Sequence, residues 1–214
     1  MPPSELLQQI GKKETDKEAI ANSVIEQPAA LPDILEGLGA KEARVKYGCA
    51  KVLRIISEKA PALLYPRFDI FVDLLDNDNS FLKCDAIYII ANLASVDSED
   101  RFEKIFDRYF ALLPGPALIA AASVTGGAAK IALAKPDLAE RITNELLKVE
   151  SAEYKTPECR RVALQQSIES FDQFFDVIEH KEPVIELIKA QLTSTRKGTR
   201  KAAEAFVARR GLAE

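Results

Sequence analysis

Residues 30–61, ALPDILEGLGAKEARVKYGCAKVLRIISEKAP, decide how the rest of the chain is read. Leu31, Ile34, Leu35 and Leu38 recur at three- and four-residue spacing, and after a break the same spacing resumes with Val45, Cys49, Leu53 and Ile56. Each helical residue advances by about 100°, so these apolar positions share one side of an α-helix. The opposite face of the second helix holds Tyr47, Lys51, Arg54 and Glu58, a mixed set suited to water. The stretch reads as two amphipathic helices joined by a turn, each needing a neighbour to cover its apolar side.

The same pairing recurs. YPRFDIFVDLL precedes NSFLKCDAIYIIANLASV, EDRFEKIFDRYFALL precedes GPALIAAASVTGGAAKIALA, LAERITNELLKV precedes PECRRVALQQSIESFDQFF, and EPVIELIKAQL precedes KGTRKAAEAFVARRG. Aligning the second helices places Val45, Leu82, Leu118, Cys159 and Thr199 in one column, at intervals of 37, 36, 41 and 40 residues. Four residues on, the column is Cys49, Ala86, Ala122, Ala163 and Ala203, small as close helix contact requires; eight on, it is Leu53, Ile90, Gly126, Ser167 and Val207. Periodicity of this length is the signature of stacked helical units. The expectation is one all-α domain over 1–214, with capping helices at 4–27 and repeats at 28–60, 61–96, 97–135, 136–178 and 180–211. TDKE, 15–18, resembles a capping box ahead of Ile20, Val24 and Ile25.

These pairs resemble HEAT repeats, whose first helix carries a leucine-rich stripe and whose second carries an apolar residue followed by Arg or Lys. Here the dipeptides are Val45-Lys46, Leu82-Lys83, Cys159-Arg160 and Thr199-Arg200, with Asp76 and Asp78 at the acidic turn position; the third pair departs with Leu118-Ile119. The resemblance implies a right-handed α-solenoid of about five HEAT-like hairpins whose second helices line a concave surface. It implies a non-catalytic binding or scaffold role with a protein or peptide partner. In that register the outward positions of the third second-helix are Ala120, Val124, Gly127 and Ile131, all small or apolar. They would form a floor, rimmed by Tyr47, Lys51, Arg54 and Tyr88 on one side and Arg161 and Gln165 on the other. Two readings of the floor stand together: permanent burial by curvature, a long side chain or a second subunit, or a groove for an amphipathic helix or acidic peptide.

Other classes of function find less in the sequence. Net charge is −4 and the pI about 5.3, without the basic excess of a general nucleic-acid binder. A local basic patch, Arg196, Lys197, Arg200 and Lys201 followed by Arg209 and Arg210, suits phosphate, an acidic protein or plain solvent. It supports the alternative of a DNA-binding protein related to the HEAT-like alkylpurine DNA glycosylases, although those rely on tryptophan and this chain has none. Three dispersed cysteines outside any CxxC pair fit a reduced, cytoplasmic protein without a disulfide framework, and the N-terminus lacks an apolar run of export-signal length. Residues 115–134 carry a single charge, Lys130, but are alanine- and glycine-rich, too weakly apolar for a membrane span. TGGAAK lacks the spacing of a phosphate loop. With His180 the only histidine and no His-Glu pair of the deoxyhypusine hydroxylase kind, no catalytic residue, metal site or cofactor is expected. A HEAT-like bilin lyase would look to Cys84, Tyr88 and the floor. The segment KVESAEYKTPE, 148–158, is expected to form a longer loop on one edge.

Overall fold

A computed structural model describes residues 5–115 and 117–212; Ser4 of the expected cap and Pro116 of the apolar segment lie outside these. The fold is all-α, with no strand among the described residues. The chain divides into two compact units, Met1–Glu99 and Asp100–Glu214.

In the first unit, α1 (Glu5–Gly11), α2 (Lys17–Glu26) and α3 (Leu31–Gly37) pack on α4 (Ala43–Lys59), which also packs on α7 (Ser80–Leu93). Between them the chain forms α5 (Pro61–Leu64) and α6 (Phe68–Asp73). Pro66, without an N–H to continue the ladder, sits in the 3-10 turn that separates these two. Val45, Cys49, Leu53 and Ile56 are buried, as are Leu82, Ala86 and Ile90 on α7. Gly48 lets α1 approach closely, since a Cβ there would lie 2.6 Å from Ile10 Cγ2. The start of α2 differs by one residue from the capping box expected at Thr15. Asp16 is the N-cap, its Oδ1 accepting from the N–H groups of Glu18 and Ala19 at 2.8 and 3.1 Å, while the Thr15 hydroxyl donates to Gln9 O at 2.6 Å. The carboxylate takes the orphan donors of the first turn and leaves the hydroxyl to close α1.

In the second unit, α9 (Leu118–Ala134), α11 (Pro157–Phe174) and α13 (Lys197–Arg210) pack in series, accompanied by α8 (Arg101–Phe110), α10 (Ala139–Leu147) and α12 (Glu182–Ala190). Phe102, Phe106, Tyr109 and Phe110 give α8 a buried aromatic side. Arg141 of α10 lies 4.0 Å over the Phe106 ring and 3.5 and 3.6 Å from Glu103 and Asp107.

Polar contacts within each unit recur at nearly repeat spacing. Tyr65 Oη donates to Asp97 Oδ1 at 2.6 Å and accepts from Glu99 N at 3.3 Å; Lys135 Nζ meets Asp100 Oδ1 at 2.6 Å; Glu140 Oε1 accepts from the N–H groups of Glu179 and His180 at 2.6 and 3.0 Å. Each joins the first helix of one pair to the loop that leads into a neighbouring pair. Deeper contacts do the same for second helices: Asn92 Nδ2 to Ser57 Oγ at 2.8 Å, and Thr199 Oγ1 to Arg161 O at 2.8 Å. The packing is consistent with a helical repeat.

One helix departs from the expected register. On α9, Ala120, Val124, Gly127 and Ile131 are buried, whereas Ile119 and Leu133 are 67% and 53% exposed, and Gly126 and Lys130 are exposed with them. The buried column is therefore Ala120, Val124, Ala128 and Ile131, two residues later than the alignment through Leu118. The repeat intervals become 37, 38, 39 and 40 residues. The alignment failed here because α9 is small and apolar almost all round, so that Lys130 alone marks the outer face by charge.

Candidate functional site

Burial of Val45, Cys49, Leu53 and Ile56 turns Tyr47, Lys51, Arg54 and Glu58 of α4 outward, as their spacing predicts. Beside them α7 begins at Asn79, whose Oδ1 accepts from the N–H groups of Phe81 and Leu82 at 3.1 and 3.2 Å. This cap fixes Phe81 in the first turn, where its side chain remains 67% exposed. Asn79 Nδ2 also donates to Tyr47 Oη at 2.8 Å, and the Tyr47 and Phe81 rings meet at 5.4 Å, tilted by 58°. Further along, Arg54 lies 3.9 Å over the Tyr88 ring, 3.5 Å from Asp85 and 3.8 Å from Glu58. Burial pushes the Asp85 carboxyl above its ordinary value despite the attraction of Arg54 and Lys51. Tyr47, Lys51, Arg54, Ile55, Glu58, Phe81 and Asp85 line an open recess of about 540 Å³.

Lys51 also lines the recess, and Lys17 of α2 reaches α4 one turn earlier, its Cε 3.3 Å from where a Cβ on Gly48 would sit, so that the two cations repel. Burial and then Lys51 lower the pKa of Lys17. Lys17 Nζ donates to the carbonyls of Lys12 and Thr15 at 3.2 and 3.3 Å. Tyr47, Lys51, Arg54 and Tyr88 therefore share one surface.

The remaining expected site residues belong to the second unit. Ala120, Val124 and Gly127 are buried and offer no surface floor, a correction that follows from the two-residue shift in α9. Arg161 and Gln165 are half-buried on α11: Arg161 pairs with Glu158 at 3.4 Å, and Gln165 donates to Glu169 at 2.7 Å and accepts from Arg196. In the basic patch Arg196 pairs with Glu158 at 2.9 Å, Arg200 with Glu204 at 3.8 Å, Arg209 with Asp172, and Arg210 with Asp172 and Asp176 at 3.3 and 2.7 Å. Lys197 and Lys201 are exposed. The patch is largely neutralised from within, and most of its arginines fasten α13 to α11.

Burial pushes the Cys49 thiol up to about 11, and Cys84 and Cys159 are free and half-buried. Ligand atoms of Glu140, Glu179 and His180 lie within 4.8 Å of one another. Glu140, however, accepts the two backbone N–H groups at one oxygen and faces His180 Nδ1 at 3.3 Å with the other. Burial opposes its charge, but these hydrogen bonds outweigh that and hold Glu140 below 4.5. The longer loop, 148–158, is tied down by Tyr154, whose hydroxyl donates to Leu113 O at 2.9 Å and is pushed up to about 12 by burial. No helix among the described residues is long and apolar enough to cross a membrane. Phe81, Ile55 and Asp85 were missed as site residues. The spacing of Phe81, Asp85 and Tyr88, at i, i+4 and i+7 on one face of α7, was the signal available for two of them.

Comparison with protein-family models and with curated proteins gives no match. Among solved structures the chain is similar to an engineered protein crystallised as a Northeast Structural Genomics Consortium target. The identity is 16%, the TM-score 0.54, and the match covers 95% of this chain and 86% of that one. At that identity the likeness is one of fold alone.

Proposed function

We propose that the chain is a non-catalytic binding or scaffold module of HEAT-like character, a right-handed solenoid of about five helical pairs acting in the cytoplasm through its second helices. Its partner is a protein or peptide segment. The observation that carries this reading is the α4–α7 surface, where an aromatic pair stands exposed beside cations although the apolar columns beneath are already buried. Exposed aromatic rings next to arginine are enriched where proteins bind one another. Repeat-spaced hydrogen bonds support a stacked scaffold, and three free cysteines fit a reducing compartment. The internal pairing of Arg196, Arg200, Arg209 and Arg210 weighs against a phosphate-binding face on α13.

The test is affinity capture from lysate, both untreated and nuclease-treated, with the full chain, Phe81→Ser and Lys201→Glu. A protein retained by the full chain and by Lys201→Glu but lost with Phe81→Ser supports the reading. Recovery of nucleic acid alone, lost with Lys201→Glu, overturns it in favour of a nucleic-acid binder.

A further inference from the structure

Resting on the protein-binding reading above, we infer that the α4–α7 recess takes an acidic peptide segment with a large apolar anchor. Its aromatic wall, Phe81 and Tyr47, is the most exposed aromatic surface among the described residues and has Ile55 beside it. A volume of about 540 Å³ accommodates side chains such as Leu or Phe together with the peptide turn that presents them. Wall and anchor remove apolar surface from water in a place where the fold itself has not done so.

Charge decides the rest of the ligand. The acids at the recess, Asp85 and Glu58, both face Arg54, which also covers Tyr88. Lys51 has Lys17 beside it: a Cβ on Gly48, one turn earlier on α4, would lie 3.3 Å from Lys17 Cε, and the two cations repel. Asp85 attracts Lys51 but is itself paired with Arg54. Glu18, the nearest acid in sequence to Lys17, is held by Lys59 at 2.6 Å, and the Asp16 carboxylate caps its own helix. Arg54, Lys51 and Lys17 together exceed Asp85 and Glu58 by one positive charge. That excess beside an apolar wall complements a carboxylate next to an apolar residue and repels a basic segment.

The experiment is selection of random displayed peptides on the immobilised full chain. Enriched sequences are then synthesised and titrated by fluorescence anisotropy against wild type, Phe81→Ser, Lys51→Glu and Lys201→Glu, each checked for folding by circular dichroism. Phe81 is exposed, so its truncation leaves the core intact. The expected result is enrichment of sequences pairing Asp or Glu with Leu or Phe. Their affinity falls about tenfold with Phe81→Ser and about tenfold with Lys51→Glu, stays unchanged with Lys201→Glu, and weakens with added salt. Enriched peptides that ignore Phe81→Ser and Lys51→Glu overturn the assignment to this recess while leaving the protein-binding reading in place. Enrichment of basic or uncharged peptides on this face overturns the charge assignment. Failure to enrich any peptide overturns both. An oligothymidylate probe run alongside covers stacking of bases on the same rings; binding of that probe lost with Phe81→Ser, without any acidic peptide, assigns the face to single-stranded nucleic acid and overturns the proposal.

Discussion

The two-residue displacement of α9 makes a sharp stability prediction, because the two registers assign opposite environments to the same side chains. Val124 is fully buried and Ile119 is 67% exposed. Val124→Asp removes about 2 kcal/mol of apolar burial and places a carboxylate without a partner in the core, adding several kcal/mol. The expected loss, about 4 kcal/mol or more, approaches the whole stability of an ordinary domain. Ile119→Asp changes an exposed residue in the first turn of α9, where a negative charge meets the positive end of the helix dipole; stability should move by less than about 0.5 kcal/mol. Gly126→Ala is the third arm. Gly126 is exposed within the helix, so alanine should add about 0.5 to 1 kcal/mol through helix propensity and a less flexible unfolded chain. Urea denaturation followed by far-ultraviolet circular dichroism reads all three. If Val124→Asp costs under about 1 kcal/mol while Gly126→Ala destabilises, the column runs through Leu118, Ala122 and Gly126 after all and the structural register is refuted.

Four further outcomes follow from particular contacts. Ser57→Ala removes the hydroxyl that accepts from the buried Asn92 amide, and urea denaturation should show a loss of about 1 to 2 kcal/mol. Thiol titration of the native protein at pH 8 should modify Cys84 and Cys159 readily and Cys49 only on unfolding, because burial keeps Cys49 protonated up to about 11; rapid reaction of all three would contradict its placement. Tyr154 is raised in the folded state from 10.0 to about 12, so its contribution is complete below pH 10 and is lost as pH rises toward 12. Melting temperatures of wild type and Tyr154→Phe should accordingly converge over that alkaline range. Glu140 is lowered below 4.5, which gives the opposite sign: its contribution is present above that value and is lost as pH falls through the folded pKa. The stability gap between wild type and Glu140→Gln should close in acid, and a gap independent of pH would show that the carboxylate charge contributes nothing.

What the sequence made legible depended on contrast between faces. On α4 the alternation of Val45, Cys49 and Leu53 with Tyr47, Lys51 and Arg54 marked inside and outside unambiguously, and the structure keeps that division. On α9 alanine, glycine, serine and threonine supply little bulk, Lys130 supplies the single charge, and a shift of two residues rotates a helix by about 200°, enough to exchange its faces. A floor inferred from such a helix was bound to depend on an arbitrary starting residue. The basic patch differs: its cations were counted correctly, but Glu158, Asp172 and Asp176 stand 34 to 38 residues before their partners, a distance that local charge counting does not see. That distance is one repeat. In a stacked helical chain the neighbours of a charged residue lie about a period away, so the period should be fixed first and charges then summed across it. Applied to α4 and α7, the same procedure pairs Arg54 with Asp85 and Tyr47 with Asn79, 31 and 32 residues apart. It leaves Phe81 exposed with only the Tyr47 ring against it, and Lys51 attracted to an Asp85 that is already paired with Arg54.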